Sequence, residues 1–246
     1  MLELINIKKS FNDTSVLKDI NLTVNPGEKI TIIGTSGSGK STILKLILGL
    51  LDYDSGNIMF NGINTARLST SQFYEHRKHF GLLFQSSALF DSLTVEENVA
   101  FPLTEQPNHL TKFEISKKVD EALELVEMQG SNFKNPSNLS GGQQKRIALA
   151  RAIITKPKCL LFDEPTTGLD PVLSTNIEDL IVRIATELNT IAITVTHQIS
   201  TILRTSDLIY FLNDGILLDP ETTQTIMESK NPIIKSFIHG GIDETK

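Results

Sequence analysis

The run Gly34-Thr35-Ser36-Gly37-Ser38-Gly39-Lys40-Ser41 constrains this chain more than any other segment. Its spacing is G-x-x-x-x-G-K-[ST]; it follows the β-branched run Lys29 to Ile33 and opens an apolar helix expected from Lys40 to Leu50. Glycines at these places let the backbone wrap closely, so successive N–H groups face phosphate oxygens. The helix that follows adds its positive N-terminus. Lys40 is placed to reach the β- and γ-phosphates of a nucleotide and Ser41 to hold Mg²⁺. Thr35, Ser36, Ser38 and Thr42 complete the candidate nucleotide-binding set with Gly34, Gly37 and Gly39.

A second signal is Cys159-Leu160-Leu161-Phe162-Asp163-Glu164, an apolar strand ending in two carboxylates. Asp163 is expected to bind Mg²⁺, mostly through water, and Glu164 to polarise the water that attacks the γ-phosphate. An apolar strand followed by a solvated acidic turn would read the same way. These two motifs leave GTPases, kinases and several ATPase classes open, although a guanine-selective Asn-Lys-x-Asp is absent.

The rest of the chain fits an α/β domain. Strands are expected at Leu2 to Lys8, Val16 to Val24 and Lys29 to Ile33, with a turn at Asn25-Pro26-Gly27. The middle reads as helical, with capping-box patterns at Thr94/Glu97 and Thr111/Glu114 and a stop at Gly130. A helix from Ser174 to Leu188 between strands Cys159 to Asp163 and Thr190 to Thr196 makes a βαβ crossover. Leu208 to Leu212 and Ile216 to Leu218 read as a hairpin, and the end as a helix and a polar tail.

Composition narrows the function class. Among 246 residues the net charge is −6 and basic residues form no run, which argues against an electrostatic nucleic-acid binder. The single cysteine, Cys159, cannot form an internal disulfide and reads as a buried strand residue. No signal peptide or transmembrane helix is expected, since the most apolar stretch, Ile43 to Leu51, is interrupted by Lys45. A membrane role would have to come through a partner.

Two more motifs narrow the class. Leu139-Ser140-Gly141-Gly142-Gln143 places a serine and glycines before a helix, a second phosphate-binding device. This chain resembles the ABC ATPases at this point, whose signature is LSGGQ. The resemblance covers about residues 2 to 225, with the motifs in family order. It implies a P-loop NTPase (RecA-like) core with an N-terminal antiparallel β-subdomain and an α-helical subdomain inserted at about 87–153. Residues 226–246 would then be a C-terminal helix and tail. It further implies that Ser140, Gly141, Gly142 and Gln143 serve the ATP of a second protomer in a homodimer, and that His197 in Thr194-Val195-Thr196-His197-Gln198 contacts the γ-phosphate. Gln85 would contact Mg²⁺ or water and sense an integral-membrane permease. Asp170 in Gly168-Leu169-Asp170 would lie at the dimer interface, and Phe11 would stack on adenine.

The segment from Phe80 through Gln85, Ser86, Ser87, Ala88, Leu89 and Phe90 to Leu103 looks like the ATPases of the Mla, or MCE-associated, phospholipid transport systems. Ser87 stands where that family has glycine. This closer resemblance implies lipid transport at the cytoplasmic face of the inner membrane, with a permease, a periplasmic MCE-domain protein and a STAS-type subunit as partners. The alternatives are an importer of polar amino acids or other small solutes, and a soluble regulatory ATPase without a permease.

Overall fold

The computed structural model describes residues 1–105 and 110–240. In chain order the elements are β1 (Leu2–Phe11), β2 (Thr14–Val24), β3 (Lys29–Ile33), α1 (Lys40–Ile47), β4 (Ser55–Phe60), β5 (Ile63–Asn64), α2 (Thr70–Arg77), β6 (Phe80–Leu83), α3 (Val95–Thr104) and α4 (Lys112–Leu125). There follow α5 (Gly141–Ile153), β7 (Cys159–Asp163), α6 (Pro171–Glu187), β8 (Ile191–Val195), α7 (Ile199–Thr205), β9 (Leu208–Asn213), β10 (Ile216–Leu217), β11 (Glu221–Thr222) and α8 (Pro232–Ile238). They divide into two compact units, Met1–Tyr74 with Ile191–Lys246, and Glu75–Thr190.

In the first unit the strand order is β5-β4-β1-β2-β10-β9-β3-β8. Strand β3 runs parallel to both β8 and β9, with Ile30 opposite Ile193 on one side and Leu208 on the other. Ile30 to Ile33 are all buried. A strand covered on both faces has no need to alternate, so its sequence is a nearly continuous β-branched run in which only Thr31 among the buried residues is polar. Strand β1 pairs antiparallel with β2 and β4, which gives the antiparallel part of the sheet. The expected hairpin is present, β9 and β10 pairing antiparallel around Asp214-Gly215. Beyond it, Ile226, Ile234 and Ile238 join Ile33, Ile202, Ile209 and Phe211 in one buried cluster. Helix α8 is thus anchored to the core; the polar tail expected after it lies outside the described residues.

Helix α1 is shorter than its apolar run suggests. It ends at Ile47, because Gly49 takes φ +57 and its N–H returns to the Leu46 carbonyl while that of Leu50 returns to Lys45. These two bonds close a helix end around a left-handed residue. Strands β4 and β5 and helix α2 have no counterpart among the expected elements.

The second unit holds the parallel pair β6–β7 and helices α3 to α6. Both expected capping boxes form, at Thr94/Glu97 and Thr111/Glu114. The expected stop at Gly130 is corrected. Helix α4 ends five residues earlier, where Glu127 adopts φ +58 and the N–H groups of Glu127 and Met128 return to Glu124 and Leu123. A glutamate can hold this left-handed position because its carboxylate is tied on both sides, to Arg146 at 2.7 Å and Arg183 at 3.1 Å. Helix α6 begins at Pro171 rather than Ser174, since the Asp170 carboxylate caps Val172 and Leu173 and proline suits the first helical position.

Candidate nucleotide site

In the first unit, β3 delivers the phosphate loop and α1 leaves it. The Lys40 side chain is buried, and its ammonium donates to the carbonyls of Gly34 and Thr35, both at 2.9 Å. The loop is therefore wrapped around a cation. Ser38 Oγ is buried and accepts or donates no hydrogen bond among the described residues, a polar atom left for a ligand. Two of the glycines are demanded by packing. A Cβ on Gly34 would lie 2.6 Å from the Leu212 carbonyl oxygen, and one on Gly39 would lie 2.8 Å from Val16. Helix α1 has Gly39 as its N-cap with no side-chain cap, so its first N–H groups face the loop without a side-chain acceptor at the cap.

His197 follows β8 and is exposed. Phe11 closes β1, is 40% exposed, and carries the Lys9 ammonium 5.3 Å from its ring centroid.

In the second unit, β7 is buried from Cys159 to Phe162 and releases Asp163 and Glu164 at its end. Burial pushes the Cys159 thiol far above its ordinary range, so this cysteine is inert as a nucleophile. Glu164 is nearly buried, sits at φ +48, and accepts a hydrogen bond from Thr167 Oγ1 at 3.3 Å. Left-handed backbone at a non-glycine residue is costly and persists where surrounding structure imposes it. Asp170 is exposed but already occupied, its Oδ1 accepting from the N–H groups of Val172 at 2.9 Å and Leu173 at 3.0 Å.

Ser140 caps α5 reciprocally with Gln143: the Ser140 N–H donates to Gln143 Oε1 at 3.0 Å and the Gln143 N–H to Ser140 Oγ at 3.4 Å. The signature's serine and glutamine thus build the helix start that presents Gly141 and Gly142. Neither glycine is demanded by the fold. Their φ values are not left-handed, and an added Cβ would meet Leu169 at 3.6 Å or Leu173 at 3.4 Å, ordinary contacts.

Gln85 is exposed on the loop between β6 and α3. Three side chains that the motifs did not single out hold this loop. Lys145 donates to the carbonyls of Phe84 and Gln85. Arg151 donates to the Ser87 and Ala88 carbonyls at 2.8 and 2.7 Å and places its guanidinium 5.7 Å from the Phe90 ring centroid. Asn98 is fully buried; its Oδ1 accepts from the Phe90 N–H at 2.8 Å, and its amide donates to the carbonyls of Phe90, Leu93 and Thr94. These anchors fix Ser87 and Ala88 at φ +62 and +46. The left-handed value at Ser87 explains why glycine suits that position. Replacing Asn98 by leucine leaves buried loop carbonyls unpaired. It is expected to lower stability by about 2–3 kcal/mol, read as a fall in the urea midpoint at unchanged m.

Lys145 is unusual in its position on α5. It lies with Gly142 and Leu149 on the buried face of α5, where a lysine is out of place. Burial lowers its pKa to about 8, the charges of Asp163 and Glu164 opposing that fall.

Among the described residues no three His, Cys, Asp or Glu cluster as a metal cage, and no helix is long and apolar enough to cross a membrane. Ser41 in the first unit, and Gln85 and Asp163 in the second, each carry an oxygen donor of the kind that suits Mg²⁺. This ion commonly takes one or two carboxylates and fills its remaining positions with water and phosphate oxygens.

Comparison with known proteins agrees with this arrangement. Residues 17–167 match the family model described as ABC transporter. The chain is 38% identical over 243 residues to the intermembrane phospholipid transport system ATP-binding protein MlaF of Haemophilus influenzae, covering 99% of this chain and 92% of that one. It is 40% identical over 241 residues to the spermidine/putrescine import ATP-binding protein PotA of Pasteurella multocida, covering 97% of this chain and 63% of that one. Among solved structures, the dimeric ATP-binding cassette MJ0796 in a post-hydrolysis state bound to ADP and Pi superposes with a TM-score of 0.82 at 32% identity, covering 91% of this chain and 99% of that one. The α/β fold, the phosphate loop, the signature helix and these likenesses together establish that the chain belongs to the ABC transporter family, as an ATP-binding and ATP-hydrolysing cassette.

Proposed function

We propose that this cassette powers phospholipid transport as a homodimer bound to a permease at the cytoplasmic face of the inner membrane, with MCE-domain and STAS-type proteins as further partners. The reading rests on the segment from Phe80 to Leu103, which resembles Mla-type ATPases, and is supported by the likeness to MlaF over nearly the whole chain. On this reading Lys40 leaves the Gly34 and Thr35 carbonyls for the β- and γ-phosphates of ATP. Ser38 and the loop N–H groups take the other phosphate oxygens, and Phe11 stacks on adenine. Ser41, Gln85 and Asp163 would hold Mg²⁺, which when bound neutralises phosphate charge. Glu164 draws the proton from the attacking water, and His197 donates to the γ-phosphate. Ser140, Gly141, Gly142 and Gln143 serve the ATP of the other protomer, with Asp170 fixing the adjoining helix at that interface. Helical segment 87–153 would form the subdomain that meets the permease.

The likeness to PotA at similar identity favours a second reading, import of a small cationic solute. Purification of the tagged chain from detergent-solubilised membranes, followed by reconstitution of the complex, separates the two. Co-purification of an integral membrane protein, with ATPase activity raised severalfold in anionic phospholipid vesicles and indifferent to spermidine, is the expected result. Stimulation by spermidine with a solute-binding protein would replace the lipid reading, and the absence of any membrane partner would leave a soluble regulatory ATPase.

A further inference from the structure

The structure assigns Lys145 a positioning role in the reaction: from α5 it holds the backbone at Phe84 and Gln85, and so aims the Gln85 side chain. This rests on the reading that Gln85 serves the nucleotide. Three observations converge on it. The Lys145 ammonium, on a side chain only 4% exposed, donates to the Phe84 carbonyl at 3.3 Å and makes a close contact to that of Gln85. The side chains of both residues meanwhile remain exposed, Phe84 at 39%. The negative charges that act on the ammonium are those of Asp163 and Glu164, the carboxylates at the end of β7. One buried cation therefore touches the glutamine loop and feels the acidic pair, and it stands five residues after Ser140 on the helix that Ser140 caps.

A lysine placed only to fill space would be replaceable by an apolar side chain of similar length, because burying an ammonium is costly and two carbonyl bonds only partly offset it. The arrangement has a use if the carbonyls must be held. Ser87 and Ala88, immediately beyond, are pinned through their own carbonyls by Arg151. Between these two anchors only Ser86 lacks a carbonyl bond from α5 among the bonds described, so the Gln85 amide is carried on a short, doubly tethered segment.

The full-length chain tests this with Lys145→Met, Lys145→Arg and Gln85→Ala. In the nucleotide-free protein, amide hydrogen exchange at residues 85 to 88 is expected to quicken about tenfold in Lys145→Met, the loss of one charged hydrogen bond, with protection elsewhere retained. Lys145→Arg, which keeps charge and donors, should restore it. In steady-state assays Lys145→Met should lower kcat about tenfold with KM for ATP within about twofold, and raise the Mg²⁺ concentration needed for half-maximal rate. Combining it with Gln85→Ala should cost no more than Gln85→Ala alone. Wild-type exchange at 85 to 88 in Lys145→Met would overturn the proposal. So would exchange quickened equally over the whole chain and not rescued by arginine, which marks a packing role only. Full activity of Gln85→Ala would remove Gln85 from the site and this proposal with it. An impaired Gln85→Ala beside a wild-type-like Lys145→Met would overturn the Lys145 link alone.

Discussion

Glu164→Gln is expected to lower ATP turnover by about two to four orders of magnitude, the usual span for removing a general base, while ATP affinity stays near that of the wild type. The substitution is close to isosteric. The amide oxygen can still accept from Thr167 Oγ1, so the bond that fixes the side chain survives. The backbone at φ +48 is asked of glutamine as it was of glutamate, so its strain is the same in both proteins. What is lost is the carboxylate's ability to take a proton from water. A variant that binds ATP and does not hydrolyse it should accumulate in the ATP-bound association state, because ATP favours that state and only hydrolysis leaves it. Phosphate release gives the rate, titration calorimetry the affinity, and size-exclusion chromatography with ATP the trapped dimer. Turnover within a few-fold of wild type would remove Glu164 from the role.

The second large effect concerns two inactive proteins that rescue each other. Lys40→Ala removes the phosphate loop's cation, and turnover of the pure variant should fall by about a hundredfold or more. Gly141→Asp strikes the signature helix. Nothing in the protomer forbids a side chain there, since the nearest atom to an added Cβ is Leu169 Cδ2 at 3.6 Å. An aspartate in the first turn of α5 is even favourable to that helix, by about 0.3–1 kcal/mol. Thermal stability should therefore hold, and ATP binding to the protomer with it, while hydrolysis is expected to be lost because a negative charge is set beside the backbone N–H groups that would face a phosphate. If the signature of one protomer completes the site of the other, a mixed dimer of Lys40→Ala and Gly141→Asp contains one intact site and one doubly damaged site. The mixture should recover a measurable fraction of wild-type ATPase activity where each variant alone has almost none. No recovery despite heterodimers detected by differential tagging, or full wild-type activity at concentrations where the protein is monomeric, would overturn the shared site.

Much of this was legible from local patterns. Phosphate loops, strand-terminal carboxylates and capping boxes act over a few residues, and their spacing is their physics. Strands β3, β7 and β8 were readable because a strand buried on both faces is apolar or β-branched along nearly its whole length. Helix ends were read less well. The helix expected to stop at Gly130 ends at Leu125, and just beyond it two arginines from α5 and α6 hold the carboxylate of a left-handed Glu127. No local rule anticipates that, since both partners lie far along the chain. Strands β4 and β5 were missed because pairing, of β4 with β1 and of β5 with β4, rather than their own composition, makes them strands.

The glycines divide the two kinds of information most sharply. By itself the sequence marked Gly34, Gly37, Gly39, Gly141 and Gly142 as candidates to approach phosphate, because the order of residue types is enough to define such motifs. Only the tertiary structure decided which are also required by the fold. Gly34 and Gly39 are packed against Leu212 and Val16, residues distant in sequence, whereas Gly141 and Gly142 have room for a side chain. The same holds for Lys145, which reads in sequence as one more basic residue after the signature. Its carbonyl partners lie 60 and 61 positions earlier, and contact over that separation exists only once α5 has packed beneath the glutamine loop. Chemistry carried by neighbouring residues is written in the chain, while chemistry that depends on a distant backbone is written only by folding.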